Sequence, residues 1–518
     1  MANGEINTHE DAPLLGEYER EREPILPSDD DEAAPPIINA ARWQVKTRKS
    51  IVRTIATVQC TIIGTGMLLL IPLYRLIEDS VCHVYYGDDS LDLIDEMKCK
   101  TDEVQAQMAY LLGWLGLFHS LMSLLTTFPF GMLADKIGRK PTILLASVGM
   151  ALGPISGPFM LGFFQSTVRK NPYILMISSL ALFIGGGIQV VLAMLYAMAA
   201  DVSSEKEKAA SFLQLTFGAT VGGLVGPLVN GFLMQKYGPW VPIWVSISCM
   251  PFIFLAFGFL PETLPVDRRT KGGDSDLSVE LIKRKVGTAL VELRKALSLF
   301  TNPSIPLALL TFLFQAARYT AYTSTILQYV SKHFGWRLAQ TSFLLSPFGL
   351  LNLIVLAVLP RISTLLLSPR FGYSSFEKDL LLTRYSTVLL FIGAIVEGFS
   401  HNIVLFIIGL FIETFGAAVS PLARATITHY VDPEHTSTLY ALISTTEIFG
   451  TFIGGPALAW CFDMGLQKKG LWIGMPWFYI ALLCLIAWVG LLFVQPPPAK
   501  RSSGNVNGDN EPVSSHED

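Results

Sequence analysis

The stretch Gly131-Met132-Leu133-Ala134-Asp135-Lys136-Ile137-Gly138-Arg139-Lys140-Pro141-Thr142-Ile143-Leu144 decides how this chain is read. It is a short, charged, glycine-punctuated turn between two long apolar runs. A turn this short forces its flanks to be neighbouring antiparallel helices. Gly131 and Gly138 permit close approach and unusual backbone angles. Asp135 suits a helix N-terminus, where the dipole favours an anion. Arg139 and Lys140 mark the side of a membrane on which the turn lies.

Working outward, the 518 residues are 51% hydrophobic and only 15% charged. Apolar segments long enough to cross a bilayer recur along the chain, which reads as a polytopic helical membrane protein. The net charge of −4 says little, because the position of each charge matters more. No nucleic-acid partner is expected. No metal-ligand spacing appears and no cofactor is expected. There is no nucleotide-binding loop and no nucleophile–base constellation, so an ATP-driven pump and an enzyme are both set aside. Of the six cysteines, Cys60, Cys249, Cys461 and Cys484 fall in apolar runs and read as packing residues. Cys82 and Cys99 share one non-cytosolic loop, where pairing and free thiols are both open readings.

Twelve spans are expected. The first six lie near 51–77, 105–130, 141–165, 172–199, 210–235 and 241–260. The second six lie near 303–330, 340–360, 384–400, 402–429, 437–461 and 472–494. The organisation is then a polar tail (1–50), a six-helix half (51–261), a linker (262–302), a second six-helix half (303–495) and a second polar tail (496–518). Both tails read as disordered and cytosolic. The linker carries an amphipathic run from Val279 to Phe300, with Lys283, Arg284, Lys285, Arg294 and Lys295, that suits the inner leaflet. Lysine and arginine concentrate on the side of the termini and of the Asp135 turn, which places that side in the cytosol. The opposite loop, 78–104, is acidic and reads as solvated. Glu10-Asp11-Ala12-Pro13-Leu14-Leu15 resembles an acidic dileucine sorting signal, so a vacuolar membrane stands beside the plasma membrane as a destination.

The quoted turn matches G-x-L-a-D-[RK]-x-G-R-[RK] at every defined position. It resembles the loop signature of the major facilitator superfamily, and the resemblance extends over roughly residues 50–495. It implies an all-α membrane protein of twelve transmembrane helices in two six-helix pseudo-repeats, working by alternating access. It also implies that Asp135, Arg139 and Asp201, with Gly131 and Gly138, form a cytosolic latch. Gly222-x-x-x-Gly226-Pro227-x-x-Asn230-Gly231 resembles the antiporter signature G-x-x-x-G-P-x-x-G-G of drug:proton exporters, with Asn230 at the first glycine of the final pair. Leu195–Val202 is similar to tetracycline exporters and to the proton-coupled folate transporter family. Many drug:proton exporters carry an arginine inside span four. Here Phe183–Ala200 holds Gln189 but no basic residue, which puts that coupling arrangement in doubt.

Charge within a bilayer is a functional hypothesis by default. Span seven carries Gln315, Arg318 and Tyr322 on one face, span ten Glu413 and Arg424, and span eleven Glu447. These stripes are expected to meet at one wet cavity, with Arg318 paired to Glu413 or Glu447. A cavity carboxylate beside a cation would couple proton movement to rocking of the halves. His119 and Gln189 are the candidates from the first half. The expected function is proton-coupled efflux of a small amphipathic drug or secondary metabolite by a monomer, its partners the substrate, protons and the bilayer. Uptake of an organic anion is the alternative, and a non-transporting receptor is a remote one.

Overall fold

A computed structural model describes residues 41–88, 90–203, 208–264, 303–369, 372–431 and 436–497. Residues 1–40 and 498–518 of the two tails, the dileucine-like hexamer and the 279–300 run lie outside them. In the first half the helices are α1 (Arg48–Tyr86), α2 (Asp102–Ile137), α3 (Arg139–Phe163), the short α4 (Gln165–Lys170), α5 (Gly187–Val202), α6 (Lys208–Tyr237) and α7 (Trp240–Phe259). In the second half they are α8 (Ser304–Thr320), α9 (Ile326–Phe334), α10 (Leu338–Leu366), α11 (Ser375–Gly398), α12 (Ile403–Phe415), α13 (Val419–Thr428), α14 (Thr436–Lys468) and α15 (Met475–Leu492). No strand occurs among the described residues.

Ten helical stretches among the described residues are long and apolar enough to cross a membrane. The two remaining expected spans are helical as well: α8 with α9, which carries Arg318, and α14, which carries Glu447. Large apolar side chains such as Phe217, Phe232 and Phe252 point outward, as a lipid-facing surface requires. Inside, threonine and serine hydroxyls bond back to carbonyls one turn earlier, as Thr65 does to Thr61 at 2.8 Å.

Several boundaries differ from expectation. Span one runs on to Tyr86, so Cys82 lies in a helix and not in the loop. Span nine begins at Ser375, because Ser374 accepts the Glu377 amide and Glu377 returns the bond, a capping box that starts the helix nine residues early. Span four is broken. Pro172–Ile184 is a 3-10 helix, and α5 starts only at Gly187, with Gly186 and Gly187 at φ of 73° and 65°. The break brings backbones together: a Cβ on Gly185 would stand 2.8 Å from the Leu145 carbonyl oxygen of α3. Span seven is interrupted by a π-helical turn, Ala321–Thr325.

Within each half one glycine seam fixes the packing. A Cβ on Gly222 of α6 would lie 2.3 Å from the Cys60 carbonyl oxygen of α1, and one on Gly226 would lie 2.6 Å from that of Gly64. The second half repeats the device. A Cβ on Gly450 of α14 would lie 2.0 Å from the Leu313 carbonyl oxygen of α8, and one on Gly454 would lie 2.7 Å from Ala317 Cα. Only glycine permits helices to approach this closely. The halves meet along α2 with α14 and α6 with α10.

Candidate functional site

Between the halves lies a cavity of about 650 Å³. Its walls come from α1, α2, α3, the broken span four and α7 on one side, and from span seven and α14 on the other. His119 and Gln189 both line it, together with Ser120, Tyr319, Thr320 and Thr323. The rest of the wall is largely apolar, and among its described residues there is no aspartate, glutamate, lysine or arginine. Such a wall desolvates a neutral molecule at low cost and a charged one at high cost.

The charges expected in that cavity are elsewhere. Arg318 and Gln315 turn away from it, towards α11, α12 and α15. Arg318 Nη1 bonds Glu413 Oε1 at 3.0 Å, and Nη2 approaches Gln315 Oε1 at 3.5 Å. Tyr322 Oη donates to Glu397 Oε2 at 2.7 Å and packs on Trp477, ring centres 5.3 Å apart. Glu413 is buried and Glu397 has 0% exposure. Arg424 and Glu447 make a separate pair at 2.5 Å, partly exposed, with the guanidinium 5.3 Å over the Phe312 ring. The three polar stripes thus resolve into two ion-paired clusters and a cavity wall, not one wet chamber. The reason is geometric: Arg318 and Tyr322 occupy one face of span seven, and Tyr319, Thr320 and Thr323 occupy another. Glu397 was not among the expected residues. A signal for it exists, since Gly393-x-x-x-Glu397 and Gly409-x-x-x-Glu413 repeat one spacing.

At the end of the Gly131–Leu144 turn, Arg139 Nε meets Asp201 Oδ2 at 3.3 Å, and Thr263 Oγ1 donates to the same oxygen at 3.2 Å. The anion serving the N-terminus of α3 is Glu262, which accepts the amides of Arg139 and Lys140, both at 3.0 Å. Gly138, at φ 108°, closes α2 and opens α3. Asp135 lies in the last turn of α2, and its side chain is outside the described residues. A Cβ on Gly131 would meet nothing within 4 Å. In the antiporter-like stretch, Gly222 and Gly226 build the α1 seam, and Gly231 leaves room for the Phe343 ring of α10. Asn230 Nδ2 donates to Ser342 Oγ at 3.1 Å, and Ser342 Oγ donates to the Pro227 carbonyl at 2.7 Å. The stretch is a helix-packing element on two sides.

The opposite end carries a Cys82–Cys99 disulfide, with Cα atoms 5.4 Å apart. Of the acidic residues expected to be solvated, Asp88, Asp92 and Asp95 are exposed, whereas Glu96 is buried, as are Glu78 and Asp79 in the last turns of α1. Glu78 accepts from Lys100 Nζ at 2.5 Å and from Gln105 Nε2 at 2.7 Å. Asp79 accepts from the Ile94 amide at 2.9 Å and pairs with Arg169 at 3.2 Å. Glu96 accepts the Leu338 amide at the start of α10 at 2.7 Å, which ties this segment to the other half. Further ties are Lys332 to Asp102 at 2.7 Å and Tyr110 to Asp463 at 3.0 Å. Asp88, by contrast, is exposed; the Ser90 amide and hydroxyl hold its carboxyl below the ordinary range. Among the described residues, no group of three or more His, Cys, Asp or Glu is placed to hold a metal ion.

Long apolar helices packed around a central cavity are the architecture of a membrane transporter. A profile of the Major Facilitator Superfamily matches residues 104–376 and 378–515, and the chain belongs to that family. It is 27% identical over 98% of its length to the MFS-type transporter aprT of Aspergillus flavus, covering 100% of that protein. It is 26% identical over 90% of its length to the MFS efflux pump atnC of Emericella nidulans, covering 91% of it. It is 28% identical over 78% of its length to the efflux pump ustT of Aspergillus flavus, covering 80% of it. Among solved structures, the human organic anion transporter MFSD10 (TETRAN) aligns with 86% of this chain and 100% of its own, at TM-score 0.54 and 18% identity. A D-xylose–proton symporter aligns with 87% of this chain and 98% of its own, at TM-score 0.60 and 11% identity. These structural likenesses concern the fold.

Proposed function

We propose that the protein exports a small, uncharged amphipathic organic compound by alternating access, with protons moving in the opposite direction. The observation that carries this is the central cavity: about 650 Å³, largely apolar, with polar groups but no charged side chain in its described wall. The relatives named efflux pumps favour the outward direction. Uptake of an organic anion would require a cation on the wall. Arg318 and Arg424 instead face Glu413 and Glu447, which weighs against that alternative.

In this reading His119 and Gln189 bind substrate. The Arg139–Asp201 pair holds the cytosolic ends of the first half in register while the molecule rocks, and Asp135, in the last turn of α2, belongs to the same latch. The lysine and arginine distribution supports cytosolic termini; the reading takes the protein as a monomer of the plasma membrane, with the vacuolar membrane as second destination. The 262–302 linker joins the two halves on the cytosolic side.

The test is transport by the purified chain in liposomes under an imposed pH gradient. The probes are a fluorescent neutral compound, the cation rhodamine 6G and the anion fluorescein. Uptake of the neutral probe against proton flow is expected. Parallel flow of fluorescein and protons would sink the reading and favour anion uptake.

A further inference from the structure

Glu397 and Glu413 sit in reciprocal notches. Each follows a glycine by four residues, Gly393 on α11 and Gly409 on α12, and the two helices run antiparallel side by side. A Cβ on Gly393 would stand 2.8 Å from Glu413 Cβ. A Cβ on Gly409 would stand 2.6 Å from Glu397 Cγ. Each glycine therefore leaves the space that the other helix's glutamate fills. Side chains lean towards the N-terminus of their own helix, so carboxyls on antiparallel helices lean towards one another.

The charges facing this pair do not balance. Arg318 supplies one guanidinium, engaged with Glu413 at 3.0 Å. The Tyr322 hydroxyl donates to Glu397. Cys484 of α15 and Tyr329 of α9 are the other titratable groups directly around it. His333 turns its Nε2 to the Ser400 carbonyl at 3.3 Å, and His401 is exposed beyond the end of α11. Glu397 Oε1 is buried without a hydrogen-bond partner among the described residues. Two ionised carboxylates against one fixed cation would leave a net negative charge in a buried helix interface, which is heavily penalised. A single proton removes it.

We propose that Glu397 and Glu413 form a proton-binding pair, taking one proton from water on one face of the membrane and returning it on the other. The pair acts on the cavity through span seven without touching substrate. This rests on the proton-coupled reading above and assigns its proton site. The link is the π turn at Ala321–Thr325, a less regular and more readily rearranged stretch than the α-helix around it. Arg318 and Tyr322 grip the carboxyls, and Tyr319, Thr320 and Thr323 form cavity wall on another side of the same segment. Loss of the proton recruits Arg318 to both carboxylates and shifts the turn, and the wall moves with it.

The full chain in lipid vesicles, without substrate, is titrated by infrared difference spectroscopy. A pH-dependent carbonyl band of buried carboxylic acid is expected in the wild type and in Glu377→Gln, and is lost in Glu397→Gln and in Glu413→Gln. A band that survives Glu397→Gln, or that is absent from the wild type, overturns the proposal. Tyr322→Phe keeps both carboxyls and shifts the midpoint of the band. An unmoved midpoint overturns the proposal even where Glu397→Gln fails to fold. If the band behaves as expected while a pH gradient drives no flux of the neutral probe, the export reading falls and the proton site stands.

Discussion

Tyr110 of α2 donates to Asp463 of α14 at 3.0 Å, a hydrogen bond from one half of the molecule to the other at the disulfide end. A partly buried side-chain hydrogen bond contributes about 1 kcal/mol. Tyr110→Phe removes it and leaves Asp463 with Gln467. The expected result is about a fivefold rise in the population open at that end. Labelling of Ser120→Cys, a cavity position, by an impermeant maleimide applied to the disulfide face measures it.

Gly222 and Gly223 are adjacent on α6 but meet different surroundings. A Cβ on Gly222 would press on the Cys60 carbonyl oxygen, whereas one on Gly223 would stand 4.0 Å from Ile63 Cγ2. Gly222→Ala is therefore expected to destabilise the protein by about 1–3 kcal/mol, the usual range for overpacking. Gly223→Ala should leave the melting temperature unchanged. Thermal unfolding of both variants in detergent decides it, and equal melting would remove the seam from the account.

Glu262 holds two amides at the start of α3. Glu262→Gln keeps the shape and removes the charge that the helix dipole favours, with an expected loss of roughly 0.5–1 kcal/mol. Glu262→Ala removes the bonds as well and should lose about 1–2 kcal/mol. The ordering of the two melting temperatures below wild type is the observable.

The Cys82–Cys99 bridge fastens the segment that presents Glu96 to the Leu338 amide. Cys82→Ser is expected to destabilise that end by about 3 kcal/mol, as a loop of this length implies. It should also speed proteolytic cleavage within residues 87–98. Cleavage at the wild-type rate would show that the ion pairs of Glu78 and Asp79 hold the segment alone.

The Gly131–Leu144 turn was enough to read the fold, because its spacing and charges depend only on local sequence. Arg318 and Glu413 were legible as buried charges, and their partnership was one of two pairings anticipated. Their separation from the cavity was not. It depends on which face of span seven meets α11 and α12, and the π turn rotates that face in a way no regular periodicity records. Glu397 lay inside the expected span nine, 384–400, but was not singled out, because Tyr322, which donates to it, and Glu413, which packs beside it, are distant in sequence. Glu78 and Asp79 were placed past the end of span one, yet the helix continues and both are buried, as is Arg75 one turn before them. Burial there is supplied by Lys100, Gln105 and Arg169, which are distant in sequence.

The Cys82–Cys99 bridge ties the working of the molecule to its manufacture. A disulfide forms and lasts only where the surroundings are oxidising. A chain inserted correctly but kept from such a lumen would possess every helix and the whole cavity, yet lack the clasp that sets Glu96 on α10. Its itinerary through the cell, and not only its sequence, would then decide how well one end of the pathway shuts.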